Sequence, residues 1–388
     1  MKKFITLMLS ASLVLGTLLT SCGSTAGNDE TTPSESTSSD ANSGDANADT
    51  DADTSADTSA ADTTAPENTT AADAMRASFL EKADEVVVSD DSVTFTDASG
   101  KESVTIAKGP KNVVNLYASF TTLWYEAGGT VSGCIGGDSS VALYEEYIGR
   151  DITADDGVTT VATSSSGKKW DTETIIALEP DLIICSTAMS GYKTIEAPAE
   201  AAGIPVIAMS YNDFADYLKW FKVFSNLTGR PELYEEVALK ALDDVVEVLL
   251  ECPTENNPTV FCMFSSADTL QANTSDTVVG GMITAMNAKN IVDEWEGAAD
   301  AERLDINLET VFAADPDIIL VQCHAGTEDA MALVQTLYGD NPVWQSLSAV
   351  KNGKVYYLEK SLFHNKPNSR FAKAYKVLAQ YLYPDIEF

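Results

Sequence analysis

One segment of this chain occurs twice. Glu173-Thr-Ile-Ile-Ala-Leu-Glu-Pro-Asp-Leu-Ile-Ile-Cys185 returns as Glu309-Thr-Val-Phe-Ala-Ala-Asp-Pro-Asp-Ile-Ile-Leu-Val321, with the same Glu, Thr, Ala, Pro and Asp and matching character elsewhere. Each copy reads as a short helix, a Pro-Asp turn and a β-branched apolar run. A run that apolar is a strand buried on both faces of a parallel sheet. Two copies so far apart predict two similar α/β lobes. Lobes that face each other enclose a cleft, and clefts at the carboxyl ends of parallel strands hold small ligands.

The first residues bear on the compartment. Lys2 and Lys3 precede an apolar stretch from Phe4 to Leu19, short for a spanning helix and right for the core of a secretory signal. Leu19-Thr-Ser-Cys22-Gly23 follows and resembles a bacterial lipobox, which implies lipidation of Cys22 and a chain anchored on the extracytoplasmic face of a cell membrane. From Gly23 to about Ala74 the residues are mostly Ser, Thr, Ala, Asp, Asn and Gly, and this stretch is expected to form a disordered acidic tether.

The chain carries 24 basic and 59 acidic side chains. Such a balance argues against nucleic acid as a partner, because phosphate binding wants a basic surface. Beyond Cys22 there are Cys134, Cys185, Cys252, Cys262 and Cys323, an odd set without close spacing that makes neither a disulfide framework nor a zinc motif. Most lie in apolar runs and read as buried small hydrophobes.

The expected organisation is a signal segment at 1–21, a tether at 22–74, an N-terminal lobe at 75–213, a helical connector at 214–257 and a C-terminal lobe at 258–388. Residues 85–108 alternate around turn signals and predict small antiparallel strands. The N-terminal lobe takes strands from 111–116, 131–135, the first repeat copy and 203–209, with Tyr117 to Thr121 as a loop. Phe214 to Leu227 shows helical spacing, and Pro231 opens the longest helix, which serves as the connector. The C-terminal lobe takes strands from 259–264, the second copy and 353–358. Asn368 is expected to cap a closing helix from Arg370 to Leu382.

Two such lobes, each with Glu-x-x-x-Ala-x-x-Pro-Asp, resemble the substrate-binding proteins of ABC importers for iron complexes, haem and cobalamin. Gly280-Gly-Met-Ile, Asn290-Ile-Val, Asn341-Pro-Val-Trp344, Leu347 to Tyr356 and Lys366-Pro-Asn-Ser-Arg370 add to the likeness. The resemblance implies two Rossmann-like lobes with parallel central sheets joined by a single long helix. It implies a monomer that is not an enzyme, has no cofactor of its own, and delivers a metal complex to a permease dimer with its ATPase subunits. Glu173 and Glu309 match the glutamates that dock on the permease. Ligand-binding positions fall on Tyr117, Ser119, Thr121, Ser186, Met189, Tyr192, Ser265, Gln271, His324 and Arg370.

The ligand stays open between a ferric siderophore, haem and a corrinoid. His324 opposite Tyr117 or Met189 is the candidate axial pair for haem iron. An anionic siderophore would instead call on Arg150, Lys168, Lys169, Lys193, Lys366 or Arg370. Tyr117, Trp124, Trp170 and Tyr192 are the aromatics available to a planar ligand. Two histidines fall short of the cluster a bare zinc or manganese ion needs. No phosphate loop, Gly-x-Ser-x-Gly or Cys/His dyad stands in a catalytic context, and an adhesin on the same fold would leave the repeat unexplained.

Overall fold

The computed structural model describes residues 65–164 and 170–388. Cys22, the signal segment, the tether up to residue 64, Lys168 and Lys169 lie outside them. The tether's expected end at 74 needs correction, because a helix spans Ala65–Asp84. Ala is the best helix former, and Pro66 sits where a first turn tolerates it. The helix is also held from outside. Met75, Phe79 and Leu80 pack on the main core, Arg76 pairs with Asp243, and Lys82 reaches Asp213 at 2.7 Å and Asp216 at 2.8 Å.

Strands β1 (Val87–Val88), β2 (Ser92–Phe95) and β3 (Val104–Ala107) form the expected antiparallel meander. The N-terminal lobe follows with β4 (Val113–Asn115), β5 (Gly133–Ile135), β6 (Thr159–Ala162), β7 (Leu182–Ser186) and β8 (Val206–Met209). Its order is β6-β5-β4-β7-β8, and every pairing is parallel. All of β4 and β7 is buried, as an apolar run covered on both faces requires.

The C-terminal lobe has β9 (Thr259–Ser265), β10 (Leu270–Asn273), β11 (Lys289–Asn290), β12 (Arg303–Asp305), β13 (Ile318–Cys323) and β14 (Val355–Leu358). Its order is β12-β10-β9-β13-β14, with β11 beside the start of β9. Here the sheet is mixed rather than wholly parallel, since β10 runs antiparallel to both β9 and β12. The reason is the short link 266–269. A parallel crossover needs a dozen or more residues, so this link can only close a hairpin. Ser266 N–H donates to Thr269 O at 2.9 Å, and Ser266 Oγ accepts from Thr269 N–H at 3.0 Å.

The two repeat copies fold alike. Asp171 and Asn307 cap the helices Thr172–Ala177 and Leu308–Ala314 with side-chain oxygens. Glu179 and Asp315 then take left-handed φ values of 48° and 41°, reversing the chain before the proline. The next Asp secures a neighbouring strand. Asp181 accepts from the N–H groups of Lys111 (2.8 Å) and Asn112 (2.9 Å), while Asp317 accepts from Thr259 N–H and Oγ1, both at 2.8 Å.

The connector comprises two helices. Phe214–Thr228 ends on Gly229 at φ 76°, and a π turn over Tyr234–Leu239 then runs into Lys240–Glu251. The closing helix Phe371–Leu382 packs back on it, with Phe371 4.9 Å from Phe214 and 5.8 Å from Tyr217 between ring centres. Asn368 does not cap that helix. It adopts φ 53°, is fully buried, and spends its side chain on the other lobe.

Candidate functional site

A cavity of about 530 Å³ lies between the lobes. The N-terminal lobe lines it from the carboxyl ends of three strands: Tyr117 after β4, Ser186 to Met189 after β7, and Ser210 to Asn212 after β8. Facing them are Asp276, Glu302, Arg303, Gln322, His364 and Lys366. One wall is neutral and partly aromatic, and the other carries nearly all the charge.

A chain of buried amides sets the charged wall. Gln322 Nε2 donates to Phe363 O at 2.5 Å, Asn273 Nδ2 donates to Gln322 Oε1 at 2.8 Å, and Arg303 Nε donates to Asn273 Oδ1 at 3.1 Å. Amides that are satisfied on both sides are rigid, so the guanidinium is held in place. It also lies over the Phe264 ring at 4.3 Å. Burial lowers the pKa of Arg303, yet a guanidinium remains a cation.

His364 and His324 meet edge to face, 4.6 Å between ring centres. Burial, then His324 and nearby cations, push His364 down to about 3, so its imidazole is neutral and keeps a free lone pair. Burial pushes the Lys366 ammonium down to about 8, and its Nζ sits 5.2 Å from the Tyr211 ring centre. Burial raises the Tyr117 phenol, which therefore stays protonated.

Of the residues expected in the cleft, Tyr117, Ser186 and Met189 line it. Ser119 and Thr121 do not, because the helix Ala118–Glu126 begins at once after Tyr117 and turns both inward, 4 % and 0 % exposed. Tyr192 is buried in the core of its lobe, away from the cleft, and its hydroxyl bonds Glu196 at 2.8 Å. Ser265 is buried within its own strand, and Gln271 is paired between β9 and β12. Arg370 forms an ion pair with Glu146. His324 is exposed just past the end of β13, with His364 in the cleft position.

Among the basic candidates within the described residues, only Lys366 lines the cleft, while Arg150 pairs with Asp155 on the surface. Trp124 and Trp170 are core residues. Arg303 was not singled out by sequence, since nothing local marks an arginine on a short edge strand. The five cysteines beyond Cys22 are buried and free.

Glu173 and Glu309 are both exposed in the first turns of the two repeat helices, and among the described residues neither has an ion-pair partner. No helix of the described residues is long and apolar enough to cross a membrane.

A family model for periplasmic binding proteins matches residues 113–362. The Fe(3+)-citrate-binding protein YfmC of Bacillus subtilis is 26% identical over 270 residues, 69% of this chain and 78% of that protein. The haem uptake protein IsdE of Staphylococcus aureus is 25% identical over 131 residues, 34% of this chain and 44% of its own. The crystal structure of IsdE with haem shares the fold at a TM-score of 0.57 and 18% identity, covering 71% of this chain and all of that one. A periplasmic binding protein from Veillonella parvula gives 0.59 at 17% identity, covering 76% and 99%. These relatives are binding proteins, not enzymes.

Proposed function

The chain belongs to the periplasmic binding protein family, and we propose that it is the extracytoplasmic receptor of an ABC importer for an iron complex. One observation carries the reading: an interlobe cavity where Arg303 and Lys366 face Tyr117, Tyr211 and Met189. Such a cleft suits a ligand with a flat or apolar body and anionic groups on one side. Two cations within one wall supply charge-assisted bonds to carboxylate or other chelate oxygens, and these fix orientation as well as affinity. Relatives named for Fe(3+)-citrate and haem fit that description.

An anionic ferric chelate is the first reading. Haem is the second, favoured by the neutral His364 imidazole in the cleft opposite Met189 and Tyr117. The axial role expected of His324 then passes to His364, with His324 packed against it.

The lipid on Cys22 would hold the receptor at the membrane, and Glu173 and Glu309 would fix its orientation on the permease. Charge pairs of that kind steer encounter and register more than they add affinity. ATP would be hydrolysed by partner subunits.

Titration of the purified protein with ferric citrate and with haem, followed by tryptophan fluorescence and visible absorption, tests the reading. Saturable binding of either that weakens at least tenfold in Arg303→Ala supports it. A Soret band that shifts in His364→Ala selects haem. No saturable binding of either iron complex refutes it.

A further inference from the structure

His364 and Lys366 belong by sequence to the C-terminal lobe, yet the segment that carries them is fastened to the N-terminal one. The Tyr147 hydroxyl lies within hydrogen-bond reach of the carbonyls of Ser361 (3.1 Å) and Pro367 (3.3 Å). Asn368 is fully buried, and its Nδ2 donates to Ser119 O at 3.1 Å and Thr122 Oγ1 at 2.9 Å. Its Oδ1 accepts from the Tyr211 hydroxyl at 3.2 Å. Ser369 donates to Glu126 twice, from Oγ at 2.8 Å and from N–H at 3.3 Å. Arg370 pairs with Glu146 at 2.6 Å and lies 3.6 Å over the Tyr147 ring.

Asn368 is one of the few residue types that accept its left-handed backbone, so the bend is written into the chain. Ser119, whose side chain does not reach the cleft, supplies its carbonyl as an anchor point.

We infer that Glu126, Glu146 and Tyr147 clamp the segment from Ser361 to Arg370, and that Glu126 and Arg370 are positioning residues for ligand capture, acting through Lys366 and His364 without touching the ligand. The inference rests on the cleft reading above for what the segment positions, and on geometry alone for the clamp. The segment thus bridges the lobes: Gln322 and His324 hold its Phe363-His364 end against the C-terminal sheet, while Asn368, Ser369 and Arg370 fix its far end, and with it Lys366, on the N-terminal lobe.

The clamp also carries a proton-sensitive group. Glu126 is faced by Ser369 and Arg370 from the segment, Tyr147 from the helix Asp138–Ile148, Tyr211 after β8 and Tyr217 on the connector, and Glu146 reaches it only through their shared Arg370. Burial pushes its carboxyl up to about 7, and the Ser369 bonds and the Arg370 charge pull it only part of the way back. Ser369 lies directly on both carboxylate oxygens, so lifting the segment readmits water to Glu126; where that outweighs the loss of the Ser369 and Arg370 contacts, the carboxyl falls back towards its usual 4.5 and the seated segment binds the proton more tightly. The preference for the seated state is complete below the lower value, weakens as pH rises to about 7, and is flat above it.

Hydrogen exchange on the full-length, ligand-free protein at pH 5 and pH 8, normalised to intrinsic rates, tests the clamp. Arg370→Gln should raise exchange over residues 361–371 about tenfold and leave β9 and β13 unchanged. Wild type should open several-fold more at pH 8 than at pH 5, and Glu126→Gln should remove that difference. Ser369→Ala is the milder variant should Arg370→Gln not fold. Unchanged exchange in the segment, or a pH profile that persists in Glu126→Gln, overturns the clamp. Kd for haem and ferric citrate should weaken in step with the exchange, and an unaltered Kd in a variant whose segment opens overturns the positioning role. If wild type binds neither probe, the cleft reading falls while exchange still decides the clamp.

Discussion

The two lobes share a pivot and differ in what they build on it. In both, a capped helix, a left-handed residue, a proline and an aspartate deliver a buried strand beside a central one. On the far side of that central strand they diverge. The N-terminal lobe places β5 there in parallel, whereas the C-terminal lobe places β10 by a hairpin, followed by β12. The hairpin is what brings Asn273 beside Arg303, and so a fixed cation to the cleft. Equal pivots with unequal outer strands yield one neutral wall and one charged wall. Where the lobes are alike they should matter equally, and where they differ the charged lobe should dominate.

Docking is where the likeness should show most. Glu173→Ala and Glu309→Ala should each lower uptake of an iron complex by whole cells, and the double variant should lower it more than tenfold with Kd unchanged. Two lobes contributing unequally, or a purified double variant that has lost binding, would break the symmetry assumed for that surface. Ligand affinity should show the difference. Arg303→Ala should weaken binding of an anionic iron chelate at least tenfold, about 1.4 kcal/mol or more, because it removes a fixed cation from a desolvated wall. Tyr117→Phe, on the neutral wall, should change it by less than about threefold. Calorimetry on both variants reverses the assignment of the walls if their order is opposite.

The pivots themselves permit a smaller test. Asp181→Ala and Asp317→Ala each remove one exposed carboxylate that accepts two hydrogen bonds at the start of a strand, and each should cost about 1–2 kcal/mol in urea unfolding. Similar losses are expected from equivalent pivots. A large loss at one site alone would mean that only one copy still uses the turn this way.

This same contrast explains what was legible in the sequence. The repeat is local and strongly patterned, so its helices, prolines and buried strands could be read directly, as could the antiparallel strands after residue 85. Ser119 and Thr121 were misplaced because loop and helix differ by the orientation of one turn, and Tyr117 gives no side-chain cap to announce the start. Gln271 was misplaced because a two-lobed repeat suggested a second parallel sheet, while the link 266–269 was too short for one. His364, Lys366 and Arg303 come together only through pairings between distant residues: β10 with β12, and the segment before Phe371 with the opposite lobe. No window of sequence contains those contacts.

Lys366 offers the finest test of the charged wall, because its charge can be removed by pH alone. Burial holds its pKa near 8, below the usual 10.5. The ammonium is therefore present at pH 7 and mostly lost at pH 9, so an anionic ligand should bind a few-fold more weakly at the higher pH. Stability moves the other way: the native state binds this proton less tightly than the unfolded chain, so it gains relative stability as pH rises from about 8 to 10.5. Lys366→Arg keeps its charge throughout, and dividing the wild-type Kd by that of the variant at each pH cancels changes in the iron complex itself. A ratio that rises between pH 7 and 9 assigns the lost affinity to this one amine. A flat ratio would leave Arg303 as the cation that defines the wall, and would mean that the segment carrying Lys366 presents His364 rather than charge to the ligand.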